Sequence, residues 1–315
     1  MARTATKKKS TATRKRPQRK KRPATFLARF SFRKIVYFLA LFCLLFFSVL
    51  MVGYVIFFRT VVAAELPFEE HDIHFEEVVP QGTESAPGTV SSPVAEKLPK
   101  VAIIIDDMGY HPEVGRDLIA LDLYLSFSFL PHAPFTPDLE EMVYQKGNPI
   151  LLHLPLEPRS AAWDPGPGAL FLTDDSATRK KKFFADLQHV PHATGVNNHM
   201  GSLFTENRAA MEELVELFSE QQLFFIDSFT TSASTGLMSA REKQLPSSRR
   251  HIFLDNVQER EAICLQIEKL VKLAAHQEHA IGIGHPYPET FSALNSCGLE
   301  ILQSVSVVGV DTLVH

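Results

Sequence analysis

Residues 101–107 read Val-Ala-Ile-Ile-Ile-Asp-Asp, five apolar residues that end in two adjacent carboxylates. In a parallel sheet a short apolar run of this kind is a strand buried on both faces, and ligands collect just beyond the carboxyl ends of such strands. Two anions side by side repel each other, so such a pair holds a metal or carries a shifted pKa. An isolated Asp-Asp at a strand-to-helix turn is equally well explained as a helix cap. The other strand ends weigh against the cap. His153 closes a run in Leu-Leu-His-Leu-Pro-Leu-Glu-Pro, His199 lies in Asn-Asn-His-Met-Gly-Ser, and His285 lies in Gly-His-Pro. Asp227-Ser228 and Asp255-Asn256 end two further runs.

Each of these residues has a plain structural explanation when taken singly. A strand-end His is commonly a hydrogen-bonded structural residue, and Asp and Asn are ordinary turn residues. Three histidines and two adjacent aspartates at one rim of one sheet are a different matter. One carboxylate with two imidazoles is a mixed N/O set suited to Zn²⁺ that leaves a position open for water. A metal so held activates its water and polarises a carbonyl, a second Asp then serves as general base, and a remaining His as general acid. That chemistry is metal-assisted hydrolysis of an amide or ester.

The elements that must position these groups alternate along the chain. Strand-like runs are expected at 101–105, 125–130, 149–154, 193–197, 223–226, 251–254, 280–283 and 306–310. Met211, Leu214, Val215 and Phe218 follow i, i+3, i+4, i+7, and Ile263, Ile267, Leu270, Val271 and Ala274 keep one helix face over three turns. Asn256 with Glu259 three residues on resembles a capping box, and Pro112 is expected in the first turn of another helix. Repeated strand–helix alternation predicts an α/β fold, an irregular (β/α) barrel of about seven parallel strands with its site where the strands end. From residue 100 onward about 215 residues remain, a size suited to one such domain.

Charge divides the chain. Residues 1–34 hold fourteen Lys or Arg and no acid, and residues 35–58 carry no charge. Twenty-four such residues at 1.5 Å rise are enough to cross a bilayer core of roughly 30 Å. Residues 1–34 are therefore expected to be a basic cytoplasmic tail and 35–58 a transmembrane helix, oriented by the positive-inside rule. Residues 59–99, acidic and Pro/Ser-rich, are expected to be a linker, leaving 100–315 as the domain outside the cytoplasm. Of 32 basic residues, 14 precede the span and Arg59 closes it, while all 36 acids follow residue 60; the external part carries 17 − 36 = −19. That balance argues against nucleic acid as a partner. Cys264 and Cys297 fall in helical stretches, and their pairing is left open at this level.

At the strand ends the chain resembles the divergent polysaccharide deacetylases, distant relatives of the metal-dependent carbohydrate esterases that remove acetyl groups from glycans. The resemblance covers roughly residues 98–313. It rests on Ile-Ile-Asp-Asp-Met-Gly (104–109), His-Leu-Pro-Leu-Glu-Pro (153–158), Gly-Val-Asn-Asn-His-Met-Gly-Ser (195–202), Phe-Ile-Asp-Ser (225–228), Phe-Leu-Asp-Asn (253–256) and Gly-His-Pro-Tyr-Pro-Glu-Thr (284–290). It implies a (β/α) barrel and a divalent metal, zinc, bound by one Asp and two His. Carried over, it makes Asp106 the general base, Asp107, His153 and His199 the metal ligands, His285 the general acid, and Asp227 an orienting group for an active-site His. Better-studied relatives place two metal histidines four positions apart. Here Glu157 stands four positions after His153, so Glu157 is the alternative third ligand to His199. Asn198 is expected on the substrate side, and Trp163 in its Gly/Pro loop is expected either to stack on a sugar ring there or to plug the barrel mouth.

The resulting expectation is a deacetylase anchored in the bacterial cytoplasmic membrane, acting on an extracytoplasmic polysaccharide such as peptidoglycan or an exported glycan. Two rivals remain open. One is a non-catalytic glycan-binding or envelope-assembly protein on the same barrel, and the other is a metal-dependent amidase on a non-sugar substrate.

Overall fold

The computed structural model describes residues 41–51, 54 and 98–315. They belong to two units. In the first, residues 41–51 are helical, and Leu41, Phe42, Leu44, Leu45, Phe46, Phe47, Val49, Leu50 and Met51 are all exposed. Among the described residues no helix is long and apolar enough to cross a membrane. The expected span 35–58 extends past the described residues on both sides. The expected tail 1–34 lies outside them, as does the expected linker apart from residues 98 and 99.

The second unit is built on nine strands: β1 (Lys100–Met108), β2 (Ser126–Phe129), β3 (Ile150–Leu156), β4 (Gly195–Met200), β5 (Phe224–Asp227), β6 (Ser247–Arg249), β7 (Ile252–Phe253), β8 (His279–Gly284) and β9 (Ser306–Val307). The main path runs β6-β5-β4-β3-β2-β1-β8-β7, and every pairing is parallel. β9 pairs only with Lys100 and Val101 at the start of β1, before the β2 pairing begins at Ile104.

The two ends of that path are β6 and β7, yet only Arg250 and His251 separate them in sequence. The Arg250 N–H donates to the carbonyl of Asp227 at the end of β5, and the His251 N–H donates to the carbonyl of Ile281 of β8, each at 2.9 Å. One kinked segment therefore pairs with β5 through its first half and with β8 through its second, and the sheet closes on itself. This parallel α/β arrangement fits a (β/α) barrel. β6 leaves no strand signal in the sequence, because Ser247-Ser248-Arg249 has neither an apolar run nor apolar alternation.

Barrel strands are buried on both faces, which is why β1 reads as a continuous apolar run: Val101 to Ile105 are all fully buried. Val101, Ile103 and Ile105 join the outer core with the helices, including Leu118, Leu139, Ile263 and Ile267. Ala102 and Ile104 join Leu151, Phe224, Ile226, Ile281 and Ile283 in a second cluster, the barrel interior, where Val310 and Leu313 of the C-terminal turn also sit. Phe224 fits there because residue 195 is Gly; a Cβ at 195 would lie 2.3 Å from the Phe224 ring.

Helices cover the outside at Pro112–Ala120, Thr136–Lys146, Ser176–His189, Arg208–Glu220, Gly236–Glu242, Arg260–Gln277 and Pro288–Ala293. Pro112 stands in the first turn as expected, and the apolar stripes at 211–218 and 263–274 face the core. The capping box at Asn256 does not form. The helix begins at Arg260 with Glu259 in the cap position and no side-chain cap bond.

Cys264, on the helix after β7, and Cys297, in the π-helical turn after β8, form a disulfide with Cα atoms 6.0 Å apart. It ties together the two segments that flank the barrel seam. Cys264→Ser, or reduction, should lower unfolding free energy by about 2–4 kcal/mol. A urea midpoint unchanged by reduction would show that the bond contributes nothing.

Candidate active site

β1 does not stop at Ile105. It continues through Asp106 and Asp107 to Met108, with a break in its register against β2 between Ile105 and Met108. In a regular strand adjacent side chains point to opposite faces. Asp107 has φ 53°, a left-handed conformation that Asp tolerates better than most residues. The irregularity lets both carboxylates reach one histidine: His153 Nε2 lies 3.7 Å from Asp106 Oδ2 and 3.1 Å from Asp107 Oδ1. Met200 and Phe229, just beyond His199 and Ser228, are also left-handed, so strained turns close β1, β4 and β5 on the same side of the barrel.

His153 comes from the middle of β3, and its Cα partner across the ladder is Asn197 of β4. His199, two residues on, keeps the same strand face. Its Nδ1 is 3.0 Å from Asp107 Oδ1 and 3.3 Å from His153 Nε2. Three potential ligand atoms, one each from Asp107, His153 and His199, thus converge. Asp107 Oδ1 is buried and makes no hydrogen bond of good geometry, despite the two imidazole nitrogens beside it. A tetrahedral ion with ligands at about 2.0–2.1 Å needs neighbouring donor atoms about 3.3 Å apart. The observed spacings of 3.0, 3.1 and 3.3 Å fit that requirement with little adjustment.

Electrostatics separates the two aspartates. Burial raises the Asp106 carboxyl, and His153, His285 and the Asn197 amide only partly offset this. Burial acts the same way on Asp107, but His199 and His153 outweigh it and hold the carboxyl well below the usual range. His153 is raised: burial opposes its charge, and Asp106 and Asp107 overcome that.

His285, one residue past β8, is close enough to interact electrostatically with both Asp106 and Asp107. Its Nδ1 is 2.8 Å from Asp255 Oδ1, and its backbone N–H donates to Asp255 Oδ2. Thr290 Oγ1 donates to the same oxygen at 2.7 Å. Burial lowers the His285 pKa, but Asp255 and the two active-site aspartates overcome it and push the pKa up to about 10. Phe253 and Tyr287 flank the ring, with centroids 6.0 and 5.6 Å away.

Several expected residues lie elsewhere. Asp227 does not face a histidine; its carboxylate accepts from Ser234 Oγ and from the N–H groups of Phe229 and Leu237, within its own loop. Asp255 holds His285 instead. Glu157, the alternative ligand, is outside the cluster, with Oε2 accepting from the Leu172 N–H at 2.7 Å. Asn198 alternates away from His199 and spends its amide on the Ser228 N–H and the Met200 carbonyl. Trp163 is half-buried in the loop after β3, its backbone N–H donating to the Ser160 carbonyl. A second acidic group with histidine, Glu140, Glu141 and His192, is a loop pin in which Glu140 accepts from the His192 backbone and ring.

Two further residues, Asn197 and Asp255, join the site without being among the residues expected there. Both were accessible by strand geometry. Asn197 shares the face of His199 by the period of two, and Asp255 ends the strand that runs beside β8, next to His285.

The Asp255 contact predicts a pH dependence. In metal-free protein His285 should stay protonated through neutral pH and titrate near 10 by NMR. Because the folded pKa lies above the unfolded value, the pair's stabilisation is complete below about pH 6.5 and is lost as pH rises toward 10. Asp255→Asn should return the titration toward the ordinary histidine range and remove that alkaline loss. A His285 titration unmoved by the substitution would refute the pairing.

Residues 103–314 match a family model described as divergent polysaccharide deacetylase. An uncharacterized Haemophilus influenzae protein is 33% identical over 214 residues, covering 68% of this chain and 76% of that protein. The Escherichia coli K12 protein YibQ, also described as uncharacterized, is 29% identical over 227 residues, 72% of this chain and 70% of that one. The crystal structure of an uncharacterized Agrobacterium tumefaciens C58 protein superposes with a TM-score of 0.66 at 22% identity, covering 70% of this chain and 92% of that chain, and shares the fold. With two thirds of its length matched, the chain belongs to the divergent polysaccharide deacetylase family.

Proposed function

We propose that the chain is a membrane-anchored, metal-dependent deacetylase acting on a polysaccharide outside the cytoplasm. The observation that carries the chemistry is the convergence of Asp107, His153 and His199 beside a second buried carboxylate, Asp106, with the Asp255–His285 pair in electrostatic reach. The family description supports a polysaccharide substrate.

Asp107, His153 and His199 would hold the ion. Held there, a divalent ion such as zinc would supply Lewis acidity, activating water at neutral pH and polarising the acetyl carbonyl. Asp106, raised by burial, takes the proton from the attacking water. His285, protonated through neutral pH, gives a proton to the departing sugar nitrogen or oxygen as the bond to the acetyl carbon breaks. Asp255 keeps the imidazole turned and charged. The products are acetate and the free amine or hydroxyl.

Anchoring rests on the basic residues 1–34 and the uncharged residues 35–58. The helical, apolar-faced stretch 41–51 supports it. The Cys264–Cys297 disulfide supports an oxidising compartment for the domain. A reporter active only outside the cytoplasm, fused after His315, should be on; a silent one beside a working cytoplasmic reporter would reverse the topology.

Detergent-solubilised full-length protein should bind one zinc ion and release acetate from an acetylated glycan. Asp107→Ala should lose the metal. Asp106→Asn should keep the metal and lose about 10²–10⁴-fold in rate, with His285→Ala slowed by a comparable factor. Acetate release that survives both substitutions would end the hydrolase reading. Metal-free, inactive protein that still binds glycan would favour a binding module.

A further inference from the structure

Asn197 is fully buried on β4, two residues before His199 on the same strand face. Its Nδ2 donates to Asp106 Oδ1 at 2.8 Å, to Asp106 Oδ2 at 3.0 Å and to Ser228 Oγ at 3.2 Å. Its Oδ1 accepts from Ser128 Oγ at 2.5 Å and meets His153 Nδ1 at 2.9 Å. The amide cannot be turned over, because its oxygen would then face the Asp106 carboxylate. With the oxygen toward His153, the Nδ1 contact is a hydrogen bond only if Nδ1 carries the proton.

This fixed orientation has two consequences. His153 Nε2 sits 3.1 Å from Asp107 Oδ1, which would otherwise draw the imidazole proton onto Nε2 and block the nitrogen as a ligand. The Asn197 oxygen holds that proton on the far side and leaves Nε2 with a free lone pair toward Asp107 and His199. The same amide donates to both Asp106 oxygens, so the carboxylate is oriented and its charged form favoured in a buried setting. A neutral residue does both without adding charge to a pair of aspartates.

We infer that Asn197 is the positioning residue of this site, setting the tautomer of His153 and the orientation of Asp106 with one amide. The inference rests on the deacetylase reading for its catalytic meaning, but its geometry does not depend on turnover.

Full-length protein in detergent carrying Asn197→Leu, which removes both halves of the amide at similar volume, is the test. Zinc ion alone is the titrant. Affinity should weaken about 10–100-fold, as for other outer-shell partners of metal-bound histidines. In metal-free protein, at a pH high enough to make His153 neutral, its ring ¹⁵N shifts should change from the Nδ1–H to the Nε2–H pattern or to a mixture. In acetate release kcat should fall with little change in KM, because Asn197 does not line the substrate side. Asn197→Ser, too short to bond both neighbours, should move all three readouts the same way by smaller factors, and it decides the matter should the Leu variant not fold. Ser128→Ala should leave the tautomer as in the parent protein. Unchanged zinc affinity and an unchanged His153 tautomer in a folded Asn197 variant overturn the inference. Parent protein that binds zinc but releases no acetate defeats the deacetylase reading alone, with tautomer and affinity still deciding Asn197.

Discussion

The structure depends on the cost of two adjacent carboxylates buried at the end of one strand. Asp106 is 2 % exposed, one of the buried charged residues of a parallel sheet whose interior is otherwise largely apolar at the start of β1. Uncompensated, such a pair would neutralise itself by taking up protons. Compensation comes from four strands. His153 arrives on β3, Asn197 and His199 on β4, Ser228 after β5 to hold the Asn197 amide, and His285 after β8. The balance differs between the two aspartates. Two imidazoles face Asp107 and keep it ionised, while Asp106 has an amide and weaker charge contacts and stays raised. Two neighbouring residues of one type thus acquire different chemistry from their surroundings.

The barrel closure serves this arrangement. A parallel sheet of this length with free edges would leave β8 and β5 far apart. The kinked β6–β7 segment joins them, and β7 leads directly into Leu254 and Asp255. Asp255 therefore emerges beside the end of β8, where His285 begins. Gly284 gives it room: a Cβ there would lie 3.2 Å from Asp255 Oδ2. The disulfide links the helices that follow these same two strands, so the seam, the His–Asp pair and the covalent tie occupy one sector of the domain.

Inside the barrel, polarity is graded along the strands. Ala102 and Ile104 pack with the C-terminal Val310 and Leu313, while Asp106, further along the same face of β1, meets Asn197 and His153. The apolar plug keeps one end dry and rigid. The polar end carries left-handed residues at Asp107, Met200 and Phe229, conformations that persist only where packing over-determines them.

The residue pattern by itself determined a good deal. Apolar runs interrupted by helical periodicity specify a parallel (β/α) arrangement, and parallel strands carry their last residues to one rim whatever their sequence separation. Asp106, Asp107, His199 and His285 were legible near strand ends for that reason, whereas His153, read as closing its run, lies in the middle of β3. Tertiary structure decided what depends on direction and pairing. Asp227 and Asp255 are both strand-end aspartates before a polar residue, and nothing local distinguishes them; the neighbour of β8 is the one that meets His285. Asn197 and Asn198 are identical in type, and strand parity sends one to the carboxylates and the other to backbone. Glu157 just after β3 and His199 near the end of β4 both offer suitable ligand atoms, but the Leu172 N–H claims Glu157. β6, three polar residues long, exists because β5 presents an edge to it, an interaction between segments that no local pattern records.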